Sequence, residues 1–419
     1  MNRRAFLSGA AYLLAGVSAA AAQATGALPM FQLKQSEWAD NFDSQSRAAR
    51  PVTTSVPILS PQTVPAMEQA IFAYQGLAER GGWNTVPGGV ELKIGMRHPN
   101  VMALRQRLVA GGDLRQIQPS DAFDSYVQSA VRRFQERHGI PADGVVGEGT
   151  LRALNVPAQH RLNQLVTNLE RIKTMGTPAD RYVMVNIPGA QIEAVEQGRI
   201  ISRHVAVAGK VERQTPLLSS RIHEINFNPT WTVPQSLILA YLVPLMQKDP
   251  NYIRDNKYRI YTHSGQEIVP EQVNWYSDEA KNYLFRQDPG EQNALGFVKL
   301  NFYNPHAVFL HDTPAKNLFN SDSRFESAGC VRVHNVRELV AWVLRDSGYN
   351  LAMVDQMVRS GERVDVKVEN PPAIYTVYFT AWTTGDGVVH FRNDIYDFDD
   401  LGPVALTQPV ELIGSPMQQ

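Results

Sequence analysis

The chain contains a single cysteine, Cys330, and an upstream histidine, His311, that could activate it. A thiol attacks a carbonyl carbon as the thiolate, so a catalytic cysteine needs a nearby base or positive charge, and imidazole is the usual partner. His311 follows the apolar segment 307–310, and a polar loop long enough to fold back separates it from Cys330. We therefore expect an ionised sulfur beside an imidazole, with Cys330 as the nucleophile and His311 as the base of an acyl transfer.

A glycine precedes the cysteine in the run Ser327-Ala328-Gly329-Cys330-Val331-Arg332. Gly329 allows a sharp bend that aims backbone amides at one point. The Cys330 amide is predicted to stabilise a developing oxyanion there, which is worth about 3 kcal/mol per donor in comparable sites. Asn335 and Glu338 resemble a capping box, so Cys330 is predicted to lie in a turn directly before a helix.

Other residues of these motifs each have a functional and a structural interpretation. Asp312 could tune His311, and Ser327 is expected to hold the loop by hydrogen bonds. Arg332 could orient the loop, meet a substrate carboxylate or form a buried ion pair. Three aromatic side chains could line a peptide groove or pack in a core, namely Trp231, Trp275 and Tyr303. The other histidines lack a paired spacing such as H-E-x-x-H, so no metal site and no cofactor are predicted.

The amino-terminal residues are typical of an export signal. Arg3 and Arg4 precede an apolar run, and Ala22-Gln23-Ala24 forms a cleavage site. The two arginines also resemble a twin-arginine signal. The most apolar later stretch, 237–246, is far shorter than the ~20 residues of a membrane span. We predict an exported, periplasmic protein with no transmembrane span in the mature chain.

Composition excludes two further possibilities. The chain has 40 basic and 41 acidic residues, so no overall field would attract nucleic acid. A single cysteine in an exported protein cannot form an internal disulfide, so Cys330 is either a working thiol or a buried core residue. The second alternative corresponds to a non-catalytic scaffold.

Hydrophobic periodicity predicts a multidomain α+β protein. Its small helical domain has apolar stripes for three short helices, and its larger domain is mainly β. An inserted stretch in the larger domain could be a substrate lid or a passive decoration. The predicted segments are a signal peptide at 1–24, a linker and helical extension at 25–90, the helical domain at 91–157, a connecting helix at 158–178, the mainly-β domain at 179–400 with its insertion at 235–295, and a tail at 401–419.

The predicted sheet draws on segments far apart in the sequence. Two of its strands are joined across Gln197-Gly198, which favours an antiparallel hairpin. The predicted strands are 182–187, 192–195, 200–207, 221–227, 307–310, 373–382 and 388–391.

Two motifs together resemble the signature of L,D-transpeptidases, in particular the lid-bearing YcbB-like branch. They are His311-Asp312-Thr313-Pro314 and the run 327–332 around the cysteine. Ala328 departs from the many members that carry a second histidine at this position. The resemblance extends over 181–188, 213–216, Asn228-Pro229 with Trp231, Pro289-Gly290 and 293–296. Separately, 130–135 with 143–147 resembles the peptidoglycan-binding domain of wall enzymes.

This resemblance implies a substrate and a reaction. The cysteine of the family is acylated by a donor stem peptide, and the histidine that matches His311 acts as base. The acceptor would be a neighbouring stem peptide, giving 3-3 cross-links, and carbapenems would acylate the same cysteine. Three alternatives remain open: an L,D-carboxypeptidase-type hydrolase, a lipoprotein-anchoring transpeptidase and a non-catalytic wall-binding scaffold.

Overall fold

The computed structural model describes residues 56–115, 119–321 and 323–401. The predicted signal peptide, residues 25–55 of the segment that follows it and residues 402–419 of the predicted tail lie outside these residues. Within them, no helix is long and apolar enough to cross a membrane.

Five helices form the amino-terminal part: α1 Thr63–Glu79, α2 Pro99–Ala110, α3 Ser125–Arg137, α4 Glu148–Leu154 and α5 Ala158–Met175. Helices α2 to α4 share one small core, because their apolar stripes meet at Leu104, Val131 and Leu154, all fully buried. Helix α3 starts at Asp124, whose carboxylate accepts the Val127 amide at 3.0 Å. Helices α1 and α5 instead pack on the sheet, in a core that includes Leu165.

The main sheet begins with four strands: β1 Arg181–Asn186, β2 Gln191–Glu196, β3 Arg199–Gly209 and β4 Leu218–Phe227. The predicted hairpin at Gln197-Gly198 joins β2 to β3, and both residues have positive φ, 49° and 71°. Such a pair suits a two-residue turn because its twist matches that of the flanking strands.

An inserted unit follows β4 and has a sheet and a core of its own. It consists of β5 Trp231–Thr232, α6 Gln235–Leu237, a π-helical turn at Ile238–Leu242, α7 Val243–Lys248, α8 Tyr252–Asp255, β6 Tyr258–Tyr261, β7 Glu267–Ile268 and β8 Leu284–Gln287. The strand order is β5-β8-β6-β7. The sequence did not predict this sheet, because its strands are only two to four residues long.

The chain then returns to the main sheet. The remaining elements are β9 Val298–Phe302, β10 Leu310–His311, β11 Phe325–Ser327, β12 Val331–Val333, α9 Val336–Val343, α10 Leu351–Ser360, β13 Val364–Lys367, β14 Ala373–Val377, β15 Ala381–Thr383 and β16 Val389–Phe391.

The main sheet closes on itself through the pairing of β3, its longest strand, with β2. The order is β11-β3-β12-β10-β9-β4-β14-β1-β2, and β2 also pairs with β3. One half of β3 pairs with β2 and the other with β12, so eight strands form a continuous ring of pairings. The largest core lies on one face of this ring, where Leu300, Leu310 and Val331 meet the apolar side of α9.

Four local predictions were wrong. Segment 307–310 is mostly loop, because Ala307 has φ 52° and the Asn304 side chain takes the Val308 amide and carbonyl from the sheet. Cys330 leads into strand β12, and α9 comes after that strand. Asn335 is in the left-handed region and makes no side-chain cap, so the capping box is absent. Segment 373–382 is broken at 378–380, and β15 pairs only with β16, outside the main sheet.

Candidate active site

Sheet register places Cys330 beside the strand that carries His311. Strands β10 and β12 are parallel neighbours, with Leu310 opposite Val331 and His311 opposite Arg332. The Val331 amide donates to the Phe309 carbonyl at 3.1 Å. Cys330 therefore lies beside Phe309, which is two residues before His311 along the neighbouring chain segment.

Strand alternation puts the side chains of His311 and Cys330 on the same face of the sheet. Leu310 and Val331 point into the main core, where they are 0% and 2% exposed. Neighbouring residues of a strand point to opposite faces, so His311, Cys330 and Arg332 share the other face. Diagonal neighbours on one face lie roughly 7 Å apart, within reach of a side chain and a substrate atom between them.

The surroundings of His311 fix which ring nitrogen can act as a base. Nδ1 lies 2.5 Å from the backbone carbonyl of Asp312. A carbonyl oxygen can only accept, so Nδ1 carries the proton and Nε2 is left as the acceptor. The Asp312 carboxylate points elsewhere: it accepts the Phe297 amide at 3.2 Å and pairs with Lys316. Asp312 thus orients His311 through its backbone and not through its carboxylate.

Burial keeps both groups neutral in the resting site. It lowers the pKa of His311 to about 3, and the positive charges of Arg332 and Lys299 act in the same direction. It raises the pKa of the Cys330 thiol to about 11, against the opposing effects of the Phe309 backbone, Lys299 and Arg332. Burial therefore disfavours the resting thiolate that the sequence led us to expect, since desolvation outweighs the nearby charges. The Cys330 residue as a whole is still partly exposed.

Four hydrogen bonds hold the loop before Cys330. Ser327 Oγ donates to the Cys330 carbonyl and accepts the Gly329 amide at 3.2 Å. Thr215 Oγ1 donates to the Gly329 carbonyl at 2.8 Å, and the Lys210 amide donates to the Ser327 carbonyl at 3.1 Å. Ser327 thus holds the loop as predicted.

The backbone at the cysteine is compatible with an oxyanion donor. Gly329 has φ 115°, a conformation that disfavours any residue with a Cβ. Within the described ranges, the Cys330 amide donates to no other group. It is therefore available for the role predicted for it.

The loop that holds Gly329 also contacts the inserted unit. Lys210 Nζ donates to the Tyr241 hydroxyl at 2.6 Å, and Arg213 donates to the Ser236 carbonyl at 3.0 Å. At the base of the unit, the Asn293 amide donates to the Pro229 carbonyl at 3.0 Å and so joins the two ends of the insertion. One loop therefore links the insertion to the segment that carries Cys330.

Arg332 has no ion pair among the described residues. Its guanidinium is part-buried and its Nε has no hydrogen-bond partner. The largest effect of an acidic group on its pKa comes from Glu326, which is exposed. The alternative of a buried structural ion pair therefore finds no support.

The three predicted groove aromatics are not brought together. Trp231 and Trp275 pack on the core of the inserted unit, and Trp275 Nε1 donates to the Pro270 carbonyl at 2.8 Å. Tyr303 is 57% exposed and stacks on His223 at the far end of β9. No described cluster of three His, Cys, Asp or Glu side chains could hold a metal ion.

Sequence reasoning missed two residues of this site. Lys299 on β9 lies opposite His311, on the same face. Thr215 lies in segment 213–216, which resembles the L,D-transpeptidases, but the sequence did not indicate a role for its side chain. Alternation in 296–300, with a lysine between buried Val298 and Leu300, is the signal that could have identified Lys299 as facing the polar side.

Two segments of the chain match known families. Residues 180–368 match the YkuD family model, described as "L,D-transpeptidase catalytic domain". Residues 97–154 match a model described as "Putative peptidoglycan binding domain".

The individual proteins that resemble this chain share between 15% and 31% of its residues over the aligned parts. A "Putative L,D-transpeptidase" from Haemophilus influenzae is 31% identical over 237 residues, covering 56% of this chain and 48% of that protein. The chain thus spans about half the length of this curated relative. Two crystal structures of L,D-transpeptidases, from Xylanimonas cellulosilytica and Stackebrandtia nassauensis, are 16% and 15% identical. Each match covers 70% of this chain. It covers 99% of the Xylanimonas chain with a TM-score of 0.24, and 96% of the Stackebrandtia chain with a TM-score of 0.27.

Proposed function

Because the chain combines a YkuD-type L,D-transpeptidase catalytic domain with an N-terminal peptidoglycan-binding domain, we propose that it is a cysteine transpeptidase that forms 3-3 cross-links in peptidoglycan. The observation that carries the proposal is the placement of Cys330 and His311 on one face of two adjacent parallel strands within the matched domain.

The proposed reaction has two steps. The Cys330 sulfur attacks the carbonyl carbon before the terminal D-alanine of a tetrapeptide stem, while His311 Nε2 takes the thiol proton. The S–C bond forms, the C–N bond breaks, and the same proton passes to the leaving amine. A side-chain amine of a neighbouring stem then attacks the thioester and returns the thiol.

The neutral resting pair fits this order of events. A thiol with a raised pKa does not attack by itself, so proton transfer to His311 accompanies attack on a bound substrate. The Cys330 amide would stabilise the oxyanion that develops at the carbonyl. We further infer that the inserted unit, tied to the nucleophile loop through Lys210 and Arg213, positions the peptide as a lid.

The cellular setting is part of the same proposal. A peptidoglycan-binding domain would hold the enzyme on its polymeric substrate, and the signal-like residues 1–24 would direct it to the periplasm. Carbapenems are expected to acylate Cys330.

Product analysis tests the proposal. Incubation with purified tetrapeptide wall fragments should release D-alanine and give cross-linked dimers, and Cys330→Ala should give neither product nor carbapenem labelling. Trimmed monomers without dimers would identify a hydrolase. Retained labelling in Cys330→Ala would refute the assignment of the nucleophile.

A further inference from the structure

Two cations flank His311 in a row across three strands. Lys299 on β9 and Arg332 on β12 both lie directly opposite His311 on β10. Residues directly opposite each other share a face, and neighbouring strands are ~4.8 Å apart. The candidate base therefore lies between an ammonium and a guanidinium on the face of the sheet opposite the main core.

Neither cation has a carboxylate partner within 4 Å in the described part of the chain. Lys299 Nζ lies 4.5 Å from the centre of the Phe309 ring, and burial lowers its pKa. A third nearby cation, Lys316, is by contrast paired with Asp312.

The acidic groups closest to Lys299 are occupied. Glu224 accepts the side-chain amides of Asn226 and Asn301 at 3.0 and 3.1 Å. Asp365 accepts the Asn226 amide at 2.7 Å. Holding two part-buried cations without counter-ions is unfavourable, and an anion bound between them would relieve this.

We propose that Lys299 and Arg332 bind the terminal carboxylate of the leaving residue of the donor peptide, and so restrict the site to peptides that end one residue after the scissile bond. This inference rests on the proposed function, because it assigns a part of the same donor.

The chemistry of the leaving group places its carboxylate beside His311. The proton that His311 takes from the thiol must reach the amide nitrogen whose bond to the carbonyl carbon breaks. In a terminal α-amino acid, one carbon separates that nitrogen from the carboxylate. The carboxylate therefore lies within a few ångströms of the imidazole, where Lys299 and Arg332 are the available donors.

Binding of the carboxylate also has a consequence for the base. Arg332, Lys299 and Lys316 all face His311 and lower its pKa, and the Asp312 carbonyl raises it. A carboxylate that neutralises the first two would make His311 a stronger base once the correct donor is bound. The clamp would thus couple recognition of the peptide end to activation of the thiol.

A pair of matched donors tests the clamp. One is a tetrapeptide with a free terminal carboxylate, and the other is the same peptide with a terminal carboxamide. The rate of release of the terminal residue gives kcat/KM for wild type, Lys299→Met, Arg332→Met and the charge-preserving Lys299→Arg and Arg332→Lys. Lys367→Met is the control, because it removes a positive charge from the same face two strands away.

Wild type should prefer the acid over the amide by about 10- to 100-fold, the range of a charge-assisted hydrogen bond. Each methionine variant should lose most of this preference, because it slows the reaction of the acid more than that of the amide. The charge-preserving variants should keep part of the preference for the acid donor, and Lys367→Met should keep all of it. Circular dichroism melting verifies the fold.

The failures are distinguishable. Equal use of both donors by wild type, or equal slowing of both donors in the methionine variants, would overturn the clamp while the proposed function stands. Release from neither donor by wild type would overturn both.

Discussion

Alkylation of Cys330 by iodoacetamide should report a thiol that is protonated at neutral pH. Burial raises the pKa of this thiol to about 11. The thiolate fraction at pH 8 is then about one in a thousand, against roughly a quarter for an unperturbed thiol with a pKa of about 8.5. We expect an alkylation rate that rises about tenfold per pH unit from pH 7 to 10.

The same experiment tests the contribution of the flanking cations. Lys299 and Arg332 both lower the pKa of the thiol, so Lys299→Met and Arg332→Met should raise it further and slow alkylation at any fixed pH below 10. Lys367→Met should match wild type. A rate that levels off below pH 8 in wild type would show a preformed thiolate and refute the neutral resting pair.

Three further predictions concern the support of the site. Thr215→Val removes the 2.8 Å bond to the Gly329 carbonyl, so acylation should slow about tenfold while Thr215→Ser stays near wild type, as measured by D-alanine release. Gly209→Ala would place a Cβ 2.2 Å from a carbonyl oxygen of the following loop, so its melting temperature should fall, whereas Gly147→Ala, with open space around it, should melt like wild type. Burial lowers the pKa of His204 to about 4, so the unfolded chain binds a proton there that the folded chain does not between about pH 6.5 and 4. The free energy of unfolding, measured by urea titration, should therefore fall as the pH drops through this window. His204 contributes up to about 3 kcal/mol of that loss, and His204→Gln should remove this contribution.

The parts of the fold that follow from local pattern could be predicted from the sequence. The apolar stripes at Val101, Leu104 and Leu108 give a helix whose core positions are all fully buried. The Gln197-Gly198 hairpin follows from turn chemistry alone. The candidate pair, Cys330 and His311, could be proposed because a single segment carries both motifs.

The remainder depended on contacts between distant segments. Lys299 joins His311 only through the register between β9 and β10, which no local pattern specifies. The neutral state of the thiol follows from burial by surrounding elements, which the sequence does not display. The apolar residues 307–309 indicated a strand, yet the Asn304 side chain satisfies the Val308 amide and carbonyl from within the loop.

Mass spectrometry of the intact protein tests the central claim most directly. After brief incubation with a tetrapeptide donor and acid quenching, we predict a mass increase equal to the donor without its terminal D-alanine. Fragmentation should place this adduct on Cys330, and His311→Ala should form it far more slowly. An unchanged mass while D-alanine is released, or an adduct on any other residue, would contradict the account.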